Sequence, residues 1–382
     1  MNFEKLDDFL DYVLPMLGIP GSDTVIYKDH EEIYRHQSGY DSLRFGTPVR
    51  DNALYNIYSC TKVATCVAAM QLVERGELLM DDPVYAYFPE YKDLKVRIKD
   101  ADGEERVTEA KNPMRIKHLF SMTSGLDYNR DRESIARVKA ETDGRCPTLD
   151  VVRTFGEEPL CFEPGAAYKY SFSHDLLGGV IEVVSGRRLG DYMKENIFDP
   201  LGMKRTGFDR SEETLSCLAT QYNYNKELGG AVECGPDNPY VFGTEYQSGG
   251  AGLISCVDDY ILLADALTHM GKGKSGERIL SSHAVEMMRS PVVPMEQFRA
   301  NFGGVQHKGF TYGYGVRVNV DPYSVGNLAP KGLFGWDGAK LSILSADPKN
   351  RIAIFHAEHM GGLHSAVMPR FFNAVYSCLD ED

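Results

Sequence analysis

A serine and a lysine three positions apart, Ser59 and Lys62, are the residue pair in this sequence with the clearest chemical potential. Residues three apart on a helix share a face, so the Lys62 amine would stand beside the Ser59 hydroxyl. A hydroxyl nucleophile needs a base to take its proton and donors to stabilise an oxyanion, and a helix start supplies the Ser59 N–H. The pair therefore predicts nucleophilic catalysis, although a capping serine and a solvated lysine would give the same spacing.

The segment that follows this pair favours the catalytic interpretation. From Tyr58 to Arg75 the chain is apolar nearly all round, and Gly76 follows as a stop signal. This pattern predicts a buried central helix, where an unpaired lysine is costly and where poor solvation lowers the pKa of its amine. Cys60 would point about 100° away from Ser59 on such a helix, so we expect a packed core thiol there.

The remaining patterns predict the elements that must position this pair. Apolar stripes and turn signals indicate an N-terminal helix, a hairpin (Thr24–Tyr27 and Ile33–His36), helices at Leu176–Val184 and Asp258–Met270, strands at Tyr312–Val320, Lys340–Ala346 and Arg351–His359, and a closing helix at Leu363–Leu379. Strands at both ends with helices between them predict an α/β fold. We expect a discontinuous sheet domain (1–58 and 300–382) and a mainly helical inserted region (59–299), with the active site at their interface. The charged stretch 92–112 is expected to be an exposed excursion.

Composition and charge exclude several classes of function. The 382 residues are 43% hydrophobic and 25% charged, which is typical of a soluble globular protein. A net charge of −14 argues against binding to nucleic acid or to an anionic membrane. No apolar run of about 18 residues and no signal-peptide pattern is present, so we expect no membrane span and a cytoplasmic location.

The residues that commonly bind metals or form disulfides show no recognisable pattern. The eight cysteines contain no C-x-x-C pair, and H-E-x-x-H and the G-x-S-x-G elbow are absent. His356-Ala357-Glu358-His359 resembles a metal cluster, but on a strand His359 would face away from the other two. We therefore expect reduced thiols, no metal and no cofactor.

Several motifs, taken in order, resemble the superfamily of serine β-lactamases, D-alanyl-D-alanine peptidases and related esterases. The first is the run around the serine–lysine pair, and the others are similar to the H-T-S-G-L, P-G…Y-S-N…L-L-G, glycine-rich and K-T-G segments; they lie at 55–62, 116–126, 162–178, 248–255 and 334–338. The resemblance extends from about residue 5 to 379. It implies a β-lactamase/transpeptidase-like fold, in which an antiparallel sheet flanked by helices is built from both chain ends.

The same resemblance implies a role for individual residues. Ser59 would be the acylated nucleophile, and Lys62 and Tyr170 would handle the proton. The backbone N–H groups of Ser59 and Ala339 would form the oxyanion hole. An adjacent lysine cation is expected to lower the pKa of the Tyr170 phenol.

Two departures from the family pattern bear on the substrate. Phe172 stands where the family has an asparagine that bonds the lysine and the substrate, and phenylalanine can do neither. Trp336-Asp337-Gly338 replaces K-T-G, and an inward-facing Asp337 would repel a substrate carboxylate. These changes favour a neutral or cationic small ester or amide, unless Asp337 faces solvent or caps a turn.

Three functions stay open on the sequence. The first is a serine esterase or amidase, acting on a small-molecule ester, amide or peptide through an acyl-enzyme. The second is a peptidase for D-amino-acid peptides or a β-lactamase. The third is a degenerate relative that binds a ligand without turning it over, which the substitution at Phe172 keeps open. The oligomeric state is open as well.

Overall fold

The structure is a computed structural model that describes residues 1–99, 102–302 and 304–379. Within these ranges the strands are β1 (Gly21–Lys28), β2 (Glu31–Ser42), β3 (Thr47–Pro48), β4 (Tyr55–Asn56), β5 (Lys95–Lys99), β6 (Glu105–Glu109), β7 (Gln221–Asn225), β8 (Gly230–Cys234), β9 (Ile254–Ser255), β10 (Phe310–Tyr312), β11 (Arg317–Asn319), β12 (Phe334–Asp337), β13 (Ser342–Asp347), β14 (Ile352–Ala357) and β15 (Met360–Gly361).

The α-helices in the same ranges are α1 (Glu4–Asp8), α2 (Leu14–Met16), α3 (Thr61–Glu74), α4 (Ile116–Phe120), α5 (Glu133–Glu141), α6 (Thr148–Arg153), α7 (Ser173–Ser185), α8 (Leu189–Met193), α9 (Asp199–Leu201), α10 (Glu212–Ser216), α11 (Val257–Thr268), α12 (Ser282–Met288), α13 (Met295–Asn301) and α14 (His364–Ser377). A π-helical stretch, Phe9–Val13, joins α1 to α2 into one N-terminal helix.

An antiparallel sheet of eight strands organises the molecule, in the order β10-β11-β12-β13-β14-β1-β2-β3. Its strands come from residues 21–48 and 310–357, so the prediction of a sheet built from both chain ends is confirmed. Strand β14 is buried along its whole length between β13 and β1, because helices cover the sheet. The predicted N-terminal and closing helices pack against each other on this sheet domain.

One predicted strand is wrong in its extent. Only Arg317–Asn319 (β11) of the predicted strand Tyr312–Val320 is a separate strand; Tyr312 ends the preceding antiparallel strand β10, because the chain reverses at Gly313–Gly315. Gly315 has φ +92°, a left-handed conformation that glycine adopts without the strain a side chain would bring. The other late strands and the closing helix are confirmed, with ends shifted by one or two residues.

The predicted central helix is α3, and it is buried from Thr61 to Leu72. Helix α7 packs against α3 on one side, while α11 packs against β1, β13 and β14. Helix α11 therefore covers the sheet although it lies inside the predicted insert, and the domain boundaries at 58/59 and 299/300 stay a prediction. Within the described part of the chain, no helix has both the length and the apolar character needed to cross a bilayer.

The charged stretch 92–112 forms a hairpin of β5 and β6 whose side chains are mostly exposed, as expected; residues 100 and 101 lie outside the described residues. In the His356–His359 segment, His356 bonds Thr24 and Glu358, whereas His359 bonds the carbonyl oxygen of Ala219. His359 therefore faces away from His356 and Glu358, as predicted, whereas an expected position at the edge of the sheet is wrong, because β14 lies between β13 and β1.

Candidate active site

Ser59 lies in a short 3₁₀ turn, Tyr58–Cys60, that leads directly into α3. Tyr58 has φ +46°, a left-handed conformation that is strained for a residue with a side chain. Such strain at a functional turn persists only where the surrounding structure holds it in place. The pairing of β4 with β9 does so, since it ties residues 55–56 to the chain just after the glycine-rich loop.

The amine of Lys62 is buried and hydrogen-bonded on three sides. Its Nζ lies 3.3 Å from Ser59 Oγ, 3.2 Å from the Tyr128 hydroxyl and 2.6 Å from the carbonyl oxygen of Gly250. Desolvation lowers the pKa of Lys62 to about 7, so a large share of the amine is neutral at pH 7. A neutral amine that donates to Gly250 and Tyr128 keeps its lone pair for the serine hydroxyl.

Tyr170 lies beside the same serine. Its hydroxyl accepts a hydrogen bond of 3.1 Å from Trp336 Nε1 and is also hydrogen-bonded to Ser59. Burial raises the pKa of Tyr170 well above its usual value, so the phenol keeps its proton. The expectation that the lysine lowers this pKa is wrong, because desolvation disfavours the phenolate and is the largest influence on this group.

Trp336 is part of an aromatic wall around Tyr170. Its ring stacks with Tyr170 at a centroid distance of 5.6 Å and with His307 at 6.0 Å, and Phe302 meets it edge-on at 5.7 Å. Burial holds the pKa of His307 well below its usual range, so this imidazole is neutral at pH 7. The wall therefore carries no charge. Its polar groups include the Tyr170 hydroxyl and the Trp336 indole N–H.

Tyr128 lies at this site and was not predicted by the sequence analysis. Its hydroxyl bonds Lys62, and its ring packs edge-on to Phe172 and face-to-face with Tyr240. Phe172 in turn stacks on Phe155 at 4.8 Å. Tyr128 thus supplies the hydrogen bond to the lysine that an amide at position 172 was expected to supply, and Phe172 packs behind it.

A buried carboxylate, Asp175, lies across Gly250 from the Lys62 amine and interacts with it electrostatically. The sequence analysis did not predict this residue. It accepts hydrogen bonds from Tyr246 (2.9 Å) and Ser248 (2.5 Å). Burial raises the pKa of Asp175, and its charge in turn favours the ammonium form of Lys62. Gly250 separates the two groups, and a Cβ at that position would clash with the Asp175 carboxylate and lie in tight contact with Lys62 Nζ at 3.3 Å.

The turn after β12 brings Gly338 and Ala339 next to the serine turn. Ser342 Oγ donates to the Ile57 carbonyl oxygen (2.8 Å), and Gly338 N–H donates to Ser342 O (2.7 Å). A Cβ on Gly338 would clash with the Ile57 carbonyl, so only glycine permits this approach. Ala339 is exposed at the tip of the turn.

Cys60, next to Ser59, faces the other way. It is buried, its Sγ contacts the carbonyl oxygens of Trp336 and Ser342, and burial raises its pKa to about 11. The predicted packed core thiol is confirmed.

Asp337 does not present a free charge to this site. It alternates with Trp336 along β12 and is almost fully buried in an ion pair with Arg317, with His364 Nε2 3.8 Å away. The possibility that it caps a turn or faces solvent is wrong. The repulsion of a substrate carboxylate that was expected from Asp337 also loses its basis, because Arg317 balances the charge.

A large cavity in the structure does not coincide with the candidate active site. A cavity of about 900 Å³ is lined partly by Tyr246, which bonds Asp175, but Ser59, Lys62 and Tyr170 do not line it. Ser59 itself is only 9% exposed. The site is instead defined by the convergence of hydroxyl, amine and phenol groups.

This fold and this serine–lysine–tyrosine arrangement define a class: the serine hydrolases and acyltransferases built on the β-lactamase fold. Residues 6–357 match the family model described as Beta-lactamase, and the chain belongs to that family.

Two of the relatives are named as an acyltransferase and an esterase. Acyltransferase calJ of Penicillium decumbens is 30% identical over 365 residues, covering 90% of this chain and 84% of that protein. Esterase EstB of Burkholderia gladioli is 27% identical over 355 residues, covering 87% and 84% respectively. The solved structure of EstCE1, a hydrolase with promiscuous acyltransferase activity, superposes with a TM-score of 0.78 at 24% identity over 98% of each chain, which confirms the fold.

Proposed function

We propose that this protein is a serine hydrolase that cleaves small neutral esters or amides through an acyl-enzyme on Ser59. The observation that carries the proposal is the buried Lys62 amine, 3.3 Å from the serine hydroxyl and with its pKa lowered to about 7. A base with a pKa near the working pH is the most effective in general acid–base catalysis.

The proposed reaction begins with attack of Ser59 Oγ on the substrate carbonyl carbon while its proton passes to Lys62 Nζ. The negative charge that develops on the carbonyl oxygen is stabilised by the backbone N–H groups of Ser59 and Ala339. Tyr170 is protonated at the start of the reaction and donates its phenol proton to the leaving oxygen or nitrogen. The Lys62 ammonium then returns a proton to the Tyr170 oxygen. Water then attacks the acyl carbon by the same steps in reverse, releasing the acid and free Ser59.

A neutral substrate is supported by what surrounds the serine. The aromatic wall at Trp336 carries no charge, and the Arg317 guanidinium is paired with Asp337. Lys340, the cation nearest in sequence to the Gly338–Ala339 turn, is bound by the Tyr222 carbonyl and the Asn223 side chain. None of these groups offers an uncommitted cation for a penicillin-like carboxylate, which argues against the β-lactamase and D-peptidase alternatives.

A substrate panel tests the proposal. We expect turnover of p-nitrophenyl acetate and butyrate, with little or none of nitrocefin or of an acylated D-alanyl-D-alanine peptide. Ser59→Ala should reduce ester turnover by at least about a thousandfold. Ser345→Ala is the matched control, because that buried serine hydroxyl has no hydrogen-bond partner in the described structure and lies on β13. Efficient nitrocefin turnover would refute the substrate class, and equal rates in the two serine variants would refute the nucleophile.

Transfer of the acyl group to an alcohol is a second candidate. The exposed share of Ser59 is small and its surroundings are aromatic, which favours an organic acceptor over water. The acyltransferase names among the relatives agree with this. Product analysis with p-nitrophenyl butyrate and a short alcohol distinguishes the two: a butyrate ester indicates transfer, and butyric acid alone indicates hydrolysis.

A further inference from the structure

A second cluster of chemically active side chains lies apart from Ser59, where the β1–β2 turn meets the end of α11. His30 occupies the turn, and Asp265 and His269 lie one helical turn apart at the end of the helix. One ligand atom from each residue lies within 4.8 Å of the others. The sequence analysis did not find this group because 235 positions separate His30 from Asp265.

The contacts within the cluster leave ligand atoms unused. His30 Nδ1 lies 2.7 Å from Asp265 Oδ2, and the two imidazole rings stack with their centroids 3.6 Å apart. His269 Nδ1 is hydrogen-bonded to the Asp265 carbonyl oxygen (2.9 Å), so the lone pair of its ring lies on Nε2. Nε2 of His269 and Oδ1 of Asp265 are both buried and have no hydrogen-bond partner in the described structure, although Oδ1 lies 3.2 Å from Nδ1 of His269.

Buried polar atoms without partners are unfavourable, and a bound cation would satisfy them. A histidine whose one ring nitrogen donates to a backbone carbonyl while the other is free has the orientation found in metal-ligating histidines. Two imidazoles and one carboxylate suit Zn²⁺ and its neighbours among the divalent transition metals, whereas Ca²⁺ and Mg²⁺ prefer oxygen ligands.

We propose that His30, Asp265 and His269 form a binding site for a divalent transition-metal ion, with water completing the coordination. Ligand distances of about 2.0–2.2 Å require the three side chains to draw together around the ion. His30 can supply this movement, because it is partly exposed and lies in a two-residue turn.

The metal would have a structural role. It would tie the β1–β2 hairpin to α11, a helix that packs against β1, β13 and β14. The same helix contacts the serine turn from its first half, where the Tyr260 hydroxyl donates to the Cys60 carbonyl oxygen (2.8 Å). Metal binding would therefore stabilise the packing of α11 without supplying a ligand to the substrate.

Calorimetric titration of the untagged, chelator-treated protein with ZnCl₂ tests the proposal, and CoCl₂ absorption spectra identify the ligand type. We expect one ion per chain, a cobalt spectrum without thiolate charge transfer, and a rise in Tm on metal addition. His30→Gln and His269→Gln should each weaken binding by at least about tenfold. His283→Gln is the matched control, because His283 is exposed on α12, outside the cluster.

Circular dichroism and Tm in the presence of chelator establish that each variant folds. Should His269→Gln fail to fold, His30→Gln decides the question, because its side chain lies at a partly exposed turn. Absence of binding by the wild type, equal affinity in wild type and His30→Gln, or a thiolate–cobalt spectrum would overturn the proposal.

Discussion

Replacing Asp175 by asparagine is expected to shift the acidic limb of the pH–rate profile to lower pH. Desolvation lowers the pKa of Lys62 to about 7, and the charge of Asp175 acts in the opposite direction by favouring the ammonium form. Asp175→Asn keeps the size of the side chain and removes that charge. The pKa of Lys62 should therefore fall further, and the base should become neutral at a lower pH.

The size of the effect follows from the position of the pKa. With a pKa of about 7, the neutral fraction of Lys62 rises roughly tenfold between pH 6 and pH 8, and the rate should rise with it. A unit charge about 4 Å away contributes about 4 kcal/mol at an effective dielectric constant near 20 and about 1 kcal/mol in bulk water, and one pKa unit corresponds to about 1.4 kcal/mol. We therefore expect the limb in Asp175→Asn to move by about one pH unit or more.

The assay is kcat/KM for p-nitrophenyl butyrate between pH 5 and pH 9 at constant ionic strength. Asp347→Asn is the matched control, because Asp347 is equally buried but bonds Asn350 and Tyr376 at the end of β13. The wild type and this control should share a limb near pH 7. A wild-type rate that still rises in proportion to hydroxide at pH 9, or a limb that does not move in Asp175→Asn, would refute the reasoning.

Three further substitutions test the packing around the site. Lys62→Met should abolish turnover and raise the free energy of unfolding at pH 7 by about 1–3 kcal/mol, because the unfolded chain then no longer gains the hydration of an ammonium group. Denaturant titration measures this free energy, and a lower value than that of the wild type would contradict the prediction. Phe172→Asn should lower that free energy by about 3 kcal/mol and yield no nitrocefin turnover, since Tyr128 already bonds the lysine. Arg317→Met should cost about 3–5 kcal/mol by leaving Asp337 buried without its partner, while the double variant with Asp337→Leu should recover most of the loss. A double variant no more stable than Arg317→Met would argue against the ion pair.

The parts of this molecule that could be predicted from sequence are those with a local signal. The apolar run after Ser59 predicted α3, and the spacing of Lys62 predicted its place beside the hydroxyl. Tyr170 and Trp336 were found only through the family resemblance, and they do contact each other at the site. The alternation of side chains along a strand correctly predicted that His359 faces away from His356 and Glu358.

The parts that could not be predicted depend on tertiary contacts. The position of Tyr128 beside Lys62 depends on how the chain folds back after α4. No local spacing of residues in the sequence predicts that contact. The partner of Asp337 is on a neighbouring strand that the sequence analysis had merged with β10. The pKa of Tyr170 depends on burial, which outweighs the neighbouring amine, and local sequence did not reveal the degree of burial.

Covalent labelling of Ser59 tests the central claim most directly. The measurement is the intact mass of the protein after treatment with a fluorophosphonate, followed by peptide mapping of the modified residue. The account predicts a single adduct on the peptide that contains Ser59, present in the wild type and in Ser345→Ala and absent in Ser59→Ala. An adduct that persists in Ser59→Ala, or a wild-type protein that stays unmodified while it hydrolyses esters, would contradict it.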